Sequence, residues 1–242
     1  MQKRIIPCLD LQDGRVVKGK NFKNVQEVAE PLSLATTYEK DGADVLFLLD
    51  ITGSNRAQFL QIVQEIRSAT TLPLYVGGGV RSVEDVKETL EAGATKVSIT
   101  SAAIANPSLL QEAAKGFGED KIILSIDAKR VATNKWHAFT KGGKIDTKLD
   151  VIEWAKQGEA FGISEILLNS IDTDGVKTGY DLPLTKAVTE AVSIPVIASG
   201  GAGRIEHFAT LFEKTKANAA LAASVFHFGE LSVKEIKQQL QQ

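Results

Sequence analysis

Eight short apolar runs, spaced evenly along the chain and each followed by an amphipathic helical stretch, constrain this sequence more than any other feature. They are "RIIPCLD" (4–10), "VLFLLDI" (45–51), "LPLYV" (72–76), "KVSIT" (96–100), "KIILSID" (121–127), "EILLNSI" (165–171), "IPVIAS" (194–199) and "AALAA" (219–223). Near-continuous apolar strands are strands covered on both faces, the condition of a parallel sheet wrapped in helices. Eight such units in 242 residues predict an α/β fold, a single (βα)8 TIM barrel forming one domain over 1–242. A Rossmann-like open sheet is the other candidate. Against it, no G-x-G-x-x-G turn follows the first run, and the glycine-rich turns follow the third and seventh instead.

The barrel is expected to be a doubled half-barrel, with halves of approximately 1–118 and 119–242. Asp10 after the first strand has a counterpart in Asp127 after the fifth, and Asp50 has one in Asp172. "VGGGV" (76–80) matches "ASGGAG" (198–203), and "SITSAAI" (98–104) resembles "LAASVFH" (221–227), at offsets of 117 to 123 residues. A period of half the chain is the mark of two four-unit repeats.

Composition narrows the function classes. A net charge of −2 provides no electrostatic footprint for nucleic acid or a membrane surface, so neither is an expected partner. The amino-terminal stretch lacks a signal-peptide core, and no apolar run approaches about 18 residues; the chain is read as cytoplasmic. One cysteine, Cys8, forms no internal disulfide, and His137, His207 and His227 lack metal-ligand spacing, so no metal and no cofactor is expected. Cys8 is read as a packing residue, His137 and His207 as surface residues, and His227 as a neighbour of the second glycine-rich site.

In a barrel the reacting groups gather at the carboxyl ends of the strands. Strands one and five stand on opposite sides of that mouth, so Asp10 and Asp127 are the candidate acid–base pair. One would remove a proton and the other deliver it. A strand-end aspartate also serves as a helix cap or pairs with a nearby cation such as Lys129 or Arg130; the matched pair is what favours catalysis.

The glycine turns speak to the ligand. A helix start after a glycine-rich turn offers backbone N–H groups to a phosphate, which Gly200, Gly201, Gly203 and Ser224 satisfy. Gly78, Gly79, Thr100 and Ser101 repeat the arrangement in the first half. Each turn alone is equally explained by a tight turn at positive φ, but the twinned sets point to an elongated substrate with a phosphate at each end. "DTDGVKTGYD" (172–181) is polar and glycine-rich and reads as a working loop. "GRVVKGKNFKN" (14–24) is basic; Lys18 closes over an anion or sits in a solvated hairpin, and the residues alone leave both open.

Together "RIIPCLDLQDGRVVKG", "VGGGVRS", "SIDAKR", "EILLNSIDTDGVKTGYDLPLTKAV", "IPVIASGGAG" and "AALAASVFHFGE" resemble the cyclase subunit of imidazole glycerol phosphate synthase, of histidine biosynthesis, over nearly the whole chain. The resemblance implies a (βα)8 barrel lyase that uses ammonia to convert phosphoribulosyl-formimino aminoimidazole carboxamide ribotide, a bisphosphate, into imidazole glycerol phosphate and aminoimidazole carboxamide ribotide. It implies a heterodimer with a glutaminase subunit docked on the amino-terminal face and an ammonia channel through the barrel.

Carried onto these positions, the resemblance makes Asp10 and Asp127 catalytic and puts Lys18 in the first loop, with Asp174, Gly175 and Ser199 lining the site. Gly79, Thr100 and Ser101 would hold one phosphate and Gly201, Gly203 and Ser224 the other. Arg4, Lys96 and Glu165 would ring the channel entrance. The chain departs from the family at Thr100 and Ser101, where Asn-Thr is usual, and at Thr95 and Val45, where the family usually has Asp and Glu. The alternatives are the sister phosphoribosyl-formimino isomerase of the same pathway, which opens "PAID" rather than "PCLD", and a noncatalytic ammonia conduit or phosphosugar-binding barrel.

Overall fold

The structure, a computed structural model, describes residues 3–20 and 23–240; the side chains of residues 18–29 lie outside that description. The strands are β1 (Arg4–Gln12), β2 (Arg15–Lys20), β3 (Lys23–Ala29), β4 (Leu46–Asp50), β5 (Leu74–Gly77), β6 (Lys96–Ile99), β7 (Ile122–Ala132), β8 (Lys135–Thr140), β9 (Ile145–Asp150), β10 (Glu165–Ser170), β11 (Val196–Ser199) and β12 (Ala219–Ala222). The helices are α1 (Pro31–Lys40), α2 (Arg56–Ala69), α3 (Val83–Glu91), α4 (Ser101–Ala105), α5 (Ser108–Phe117), α6 (Val151–Ala160), α7 (Leu182–Ala191), α8 (Ile205–Lys214), α9 (Ser224–His227) and α10 (Val233–Leu240).

Eight strands pair in parallel in the order β1-β4-β5-β6-β7-β10-β11-β12, and β12 returns to β1. The sheet has no free edge among these eight, so the barrel is closed. All eight coincide with the apolar runs. The burial follows from that closure: the inner face looks into the barrel and the outer face is covered by helices, so both faces need apolar side chains. Ile6, Cys8, Phe47, Ile123, Leu167 and Leu221 pack inside the barrel, while Leu9, Leu48, Leu124 and Leu168 face the helices. Local chemistry starts the helices at fixed points. Ser82 and Asp85 form a reciprocal capping box at α3, Asp150 caps α6 and Asp181 caps α7.

Four strands lie outside the barrel. β1 runs on into an antiparallel hairpin with β2 and β3, and β7 into one with β8 and β9. Thus the first and fifth strands of the barrel carry the same kind of extension. The turn into β2 uses Asp13 and Gly14, both at positive φ, as a two-residue hairpin requires. After Gly14, the described parts of the basic segment 14–24 therefore belong to the antiparallel strands β2 and β3, residues 21 and 22 lying outside the described residues, while β8 and β9 form from a stretch with no continuous apolar run. The first seven residues of β7 are buried or half-buried and its last four exposed. A hairpin with one solvated side alternates rather than running apolar, which is why it escapes a search for core strands.

Candidate active site

Side chains alternate across a strand, so every second residue of a barrel strand faces inward. On β1 the inward residues end Ile6, Cys8, Asp10, on β7 Ile123, Ser125, Asp127, and on β10 Leu167, Asn169. The upper members of these series line a cavity of about 850 Å³ at the carboxyl ends of the strands. Asp10, Asp127, Asp174, Gly175, Ser199, Gly79, Thr100, Ser101, Gly201 and Ser224 all line it. Gly203 does not; its N–H donates to His207 Nδ1 at 3.1 Å, within the start of α8, and a Cβ there would lie 2.2 Å from the Lys177 carbonyl oxygen. Lys18 belongs to β2, and its side chain lies outside the described residues.

Four strand-end aspartates divide into two kinds. Asp50 accepts from the N–H groups of Thr52 and Gly53 at 3.0 and 2.8 Å, and Asp172 accepts from the N–H of Arg130 at 2.8 Å. Asp50 thus holds the turn after its own strand, and Asp172 binds the backbone of β7, the strand beside β10. Asp10 and Asp127 instead keep side-chain company at the cavity. Cys8 Sγ donates to Asp10 Oδ1 at 3.3 Å, and Asn169 Nδ2 donates to Asp127 Oδ1 at 3.1 Å. Burial pushes the Asp127 carboxyl up to about 6, and the negative charge of Asp174 adds to this, while the Asn169 hydrogen bond opposes both. An acid held near neutrality can exchange a proton in either direction.

The glycine turns match in detail. Gly78 and Gly200 have φ of +89° and +92°, and a Cβ on either would collide with the backbone end of the preceding strand, at Asp50 O and Ser170 O. Only glycine lets these turns close against their neighbours. Beside each turn a short helix begins without a side-chain cap, α4 after Thr100 and α9 after Ala223. Orphan N–H groups at a helix start, with hydroxyls beside them, suit an anion; the Ser101 hydroxyl also accepts from the Lys141 N–H at 3.4 Å.

Three basic residues at the cavity were not among the sequence candidates: Arg81, Lys141 and Lys144. The last two come from the β8–β9 turn, whose "TKGGK" (140–144) puts lysines beside a glycine pair, a pattern that could have marked an anion-facing loop. The histidines do other things. His137 Nδ1 lies 3.1 Å from Asp146, His207 accepts from the N–H groups of Gly203 and Arg204 just before α8, and His227 Nδ1 is 2.6 Å from the Tyr38 hydroxyl just past Ser224.

At the opposite end of the barrel Glu165 is buried between two cations, with Arg4 at 3.2 Å and Lys96 at 2.9 Å. Val45 is buried among the interior residues, and Thr95 Oγ1 accepts from the Leu74 N–H at 3.0 Å. Among the described residues no helix is long and apolar enough to cross a membrane.

A closed parallel barrel with two carboxylates and two glycine-rich turns at its carboxyl-end mouth belongs to the class of (βα)8-barrel enzymes. The chain belongs to the family described as histidine biosynthesis protein, whose model matches residues 4–232. It is 49% identical over 242 residues to the imidazole glycerol phosphate synthase subunit HisF of Bacillus cereus, covering 99% of this chain and 96% of that protein. The subunits of the same name from Oceanobacillus iheyensis and Clostridium botulinum are each 51% identical, over 239 and 243 residues, covering 98% and 99% of this chain and 94% and 96% of theirs.

Proposed function

We infer that this chain is the cyclase subunit of an imidazole glycerol phosphate synthase, an enzyme of histidine biosynthesis. The observation that carries the reading of its site is the placement of Asp10 and Asp127 at one cavity flanked by matched glycine and hydroxyl cradles. The substrate is phosphoribulosyl-formimino aminoimidazole carboxamide ribotide, extended across the mouth. Gly79, Thr100 and Ser101 hold one phosphate. Gly201 and Ser224 hold the other, with Gly203 letting the loop after β10 pack closely at Lys177.

Ammonia condenses with the keto carbon of the substrate with loss of one water, and ring closure onto the formimino carbon then expels aminoimidazole carboxamide ribotide. Each step takes a proton from one side and delivers one to the other, which two facing carboxyl groups of unequal environment supply. Asp174 tunes Asp127 through its charge, and Asn169 orients it. A glutaminase subunit docks on the amino-terminal face and releases ammonia toward the interior past Arg4, Lys96 and Glu165.

The test is direct. The pure chain is incubated with the bisphosphate ribotide and an ammonium salt, and substrate loss is followed with and without ammonia. Turnover that depends on ammonia supports the cyclase. Turnover without it would indicate an isomerase, and binding without turnover a conduit or a phosphosugar-binding barrel.

A further inference from the structure

We propose that Tyr75 is a positioning residue of the ring that closes the amino-terminal end of the barrel, its phenol standing in for a second carboxylate. Arg4, Lys96 and Glu165 are the first residues of β1, β6 and β10, and Tyr75 lies one residue into β5, so all four meet beneath the interior side chains. Against two cations the ring has a single carboxylate. Arg4 Nη1 and Nη2 donate to the two Glu165 oxygens at 3.2 Å each, and Lys96 Nζ donates to Glu165 Oε1 at 2.9 Å and to Ser164 Oγ at 3.1 Å. The Tyr75 hydroxyl completes the circuit. It accepts from Arg4 Nη1 at 3.1 Å and donates to Glu165 Oε1 at 3.3 Å.

The phenol is built in rather than incidental. Tyr75 is 4% exposed, its ring meets Phe47 edge to face at 6.2 Å, and Lys96 Nζ lies 5.4 Å from its centre. Burial, with the Glu165 charge behind it, pushes the hydroxyl up to about 12, so it remains a proton donor at physiological pH. Val45 precedes β4, the strand paired with β5, and belongs to the same interior cluster as Phe47 and Tyr75. Valine there brings no charge to compete with the phenol for Arg4. A neutral donor–acceptor in place of a carboxylate leaves the ring with one net positive charge. Such a ring resists ammonium but has no electrostatic quarrel with neutral ammonia.

The inference rests on the reading above, that ammonia enters from the amino-terminal face. The experiment uses the complex with a glutaminase subunit and reads glutamine hydrolysed per product formed, alongside ammonia-driven turnover of the barrel. Tyr75→Phe is expected to raise the first ratio by at least about threefold, since one buried network loses two hydrogen bonds, and to leave ammonia-driven turnover within about twofold. Adding Val45→Glu to Tyr75→Phe restores an acceptor for Arg4 and should bring the ratio back toward wild type. An unchanged ratio in Tyr75→Phe overturns the proposal. So does equal loss of both rates, which would make Tyr75 a packing residue, and so does a double variant that keeps ammonia-driven turnover but gains no coupling. If the wild-type chain lacks ammonia-driven turnover altogether, the cyclase reading itself fails and the proposal falls with it.

Discussion

Asn169 Nδ2 donates to Asp127 Oδ1 across 3.1 Å from the neighbouring strand, with the two residues in register in the barrel wall. The bond favours the ionised carboxylate, whereas burial and the charge of Asp174 favour the protonated one and hold it up to about 6. Asn169→Ala should therefore raise the Asp127 limb of the kcat/KM profile, and Asp174→Asn should lower it, each by about half a unit to one unit. The measurement is the pH dependence of ammonia-driven turnover. Shifts in the same direction for both variants would refute this assignment.

Removing either carboxylate tests the chemistry. Asp10→Asn and Asp127→Asn are each expected to reduce ammonia-driven turnover about 100-fold or more, the usual weight of general acid–base catalysis, with the far-ultraviolet circular dichroism spectrum retained. Near-normal turnover in one variant takes that residue out of the mechanism.

The same raised carboxyl has a stability consequence. Between about pH 4 and about pH 6 the folded chain binds more protons at Asp127 than the unfolded chain does, so stability falls as pH rises through that window. Above it, the ionised form carries a penalty of about 1–3 kcal/mol. Asp127→Asn does not titrate. It should be more stable than wild type by about that amount at pH 8 and should lose the advantage below pH 4, as urea unfolding would record. Equal stability at both ends would mean that Asp127 is not raised.

The glycine cradles have no room for a methyl group. At Gly78 and Gly201, with φ of +89° and +104°, a Cβ would sit 2.0 Å from the carbonyl oxygens of Asp50 and Gly179. Gly78→Ala and Gly201→Ala should each displace a turn, destabilise the fold by about 1–3 kcal/mol and raise KM for the bisphosphate by about tenfold, the equivalent of one hydrogen bond to a charged group. Substrate kinetics with calorimetric melting separates the two effects. An unaltered KM in one variant would dissociate that turn from phosphate binding.

On the amino-terminal face, Thr95 accepts from the Leu74 N–H at 3.0 Å and stands where the family usually carries Asp. Thr95→Asp keeps an acceptor for that N–H and adds a charge on the side proposed for the partner. Glutamine-driven turnover should rise while ammonia-driven turnover holds, because an interfacial charge acts on association and coupling. Equal changes in both rates would show that position 95 does not control coupling.

The sequence by itself determined the barrel. Its eight strands are buried on both faces, so their apolar runs are near-continuous and visible one at a time, and Asp10 and Asp127 stand out because they end the first strand of each half. What tertiary structure decided was partnership. Asp50 and Asp172 look like Asp10 and Asp127 in the sequence, yet backbone N–H groups take them up, Asp50 in the turn just after its strand and Asp172 at Arg130 on the neighbouring strand β7. The hairpins β2–β3 and β8–β9 carry no core run, so Lys141 and Lys144 reach the cavity only because an antiparallel ribbon folds over it. Tyr75 reads as one more apolar residue of "LPLYV" until closure brings β1, β5, β6 and β10 together. Arg4, Tyr75 and Glu165 then meet across separations of 71 and 90 residues. Burial and periodicity are written locally along a chain, whereas hydrogen-bond partners around a barrel are fixed by its closure.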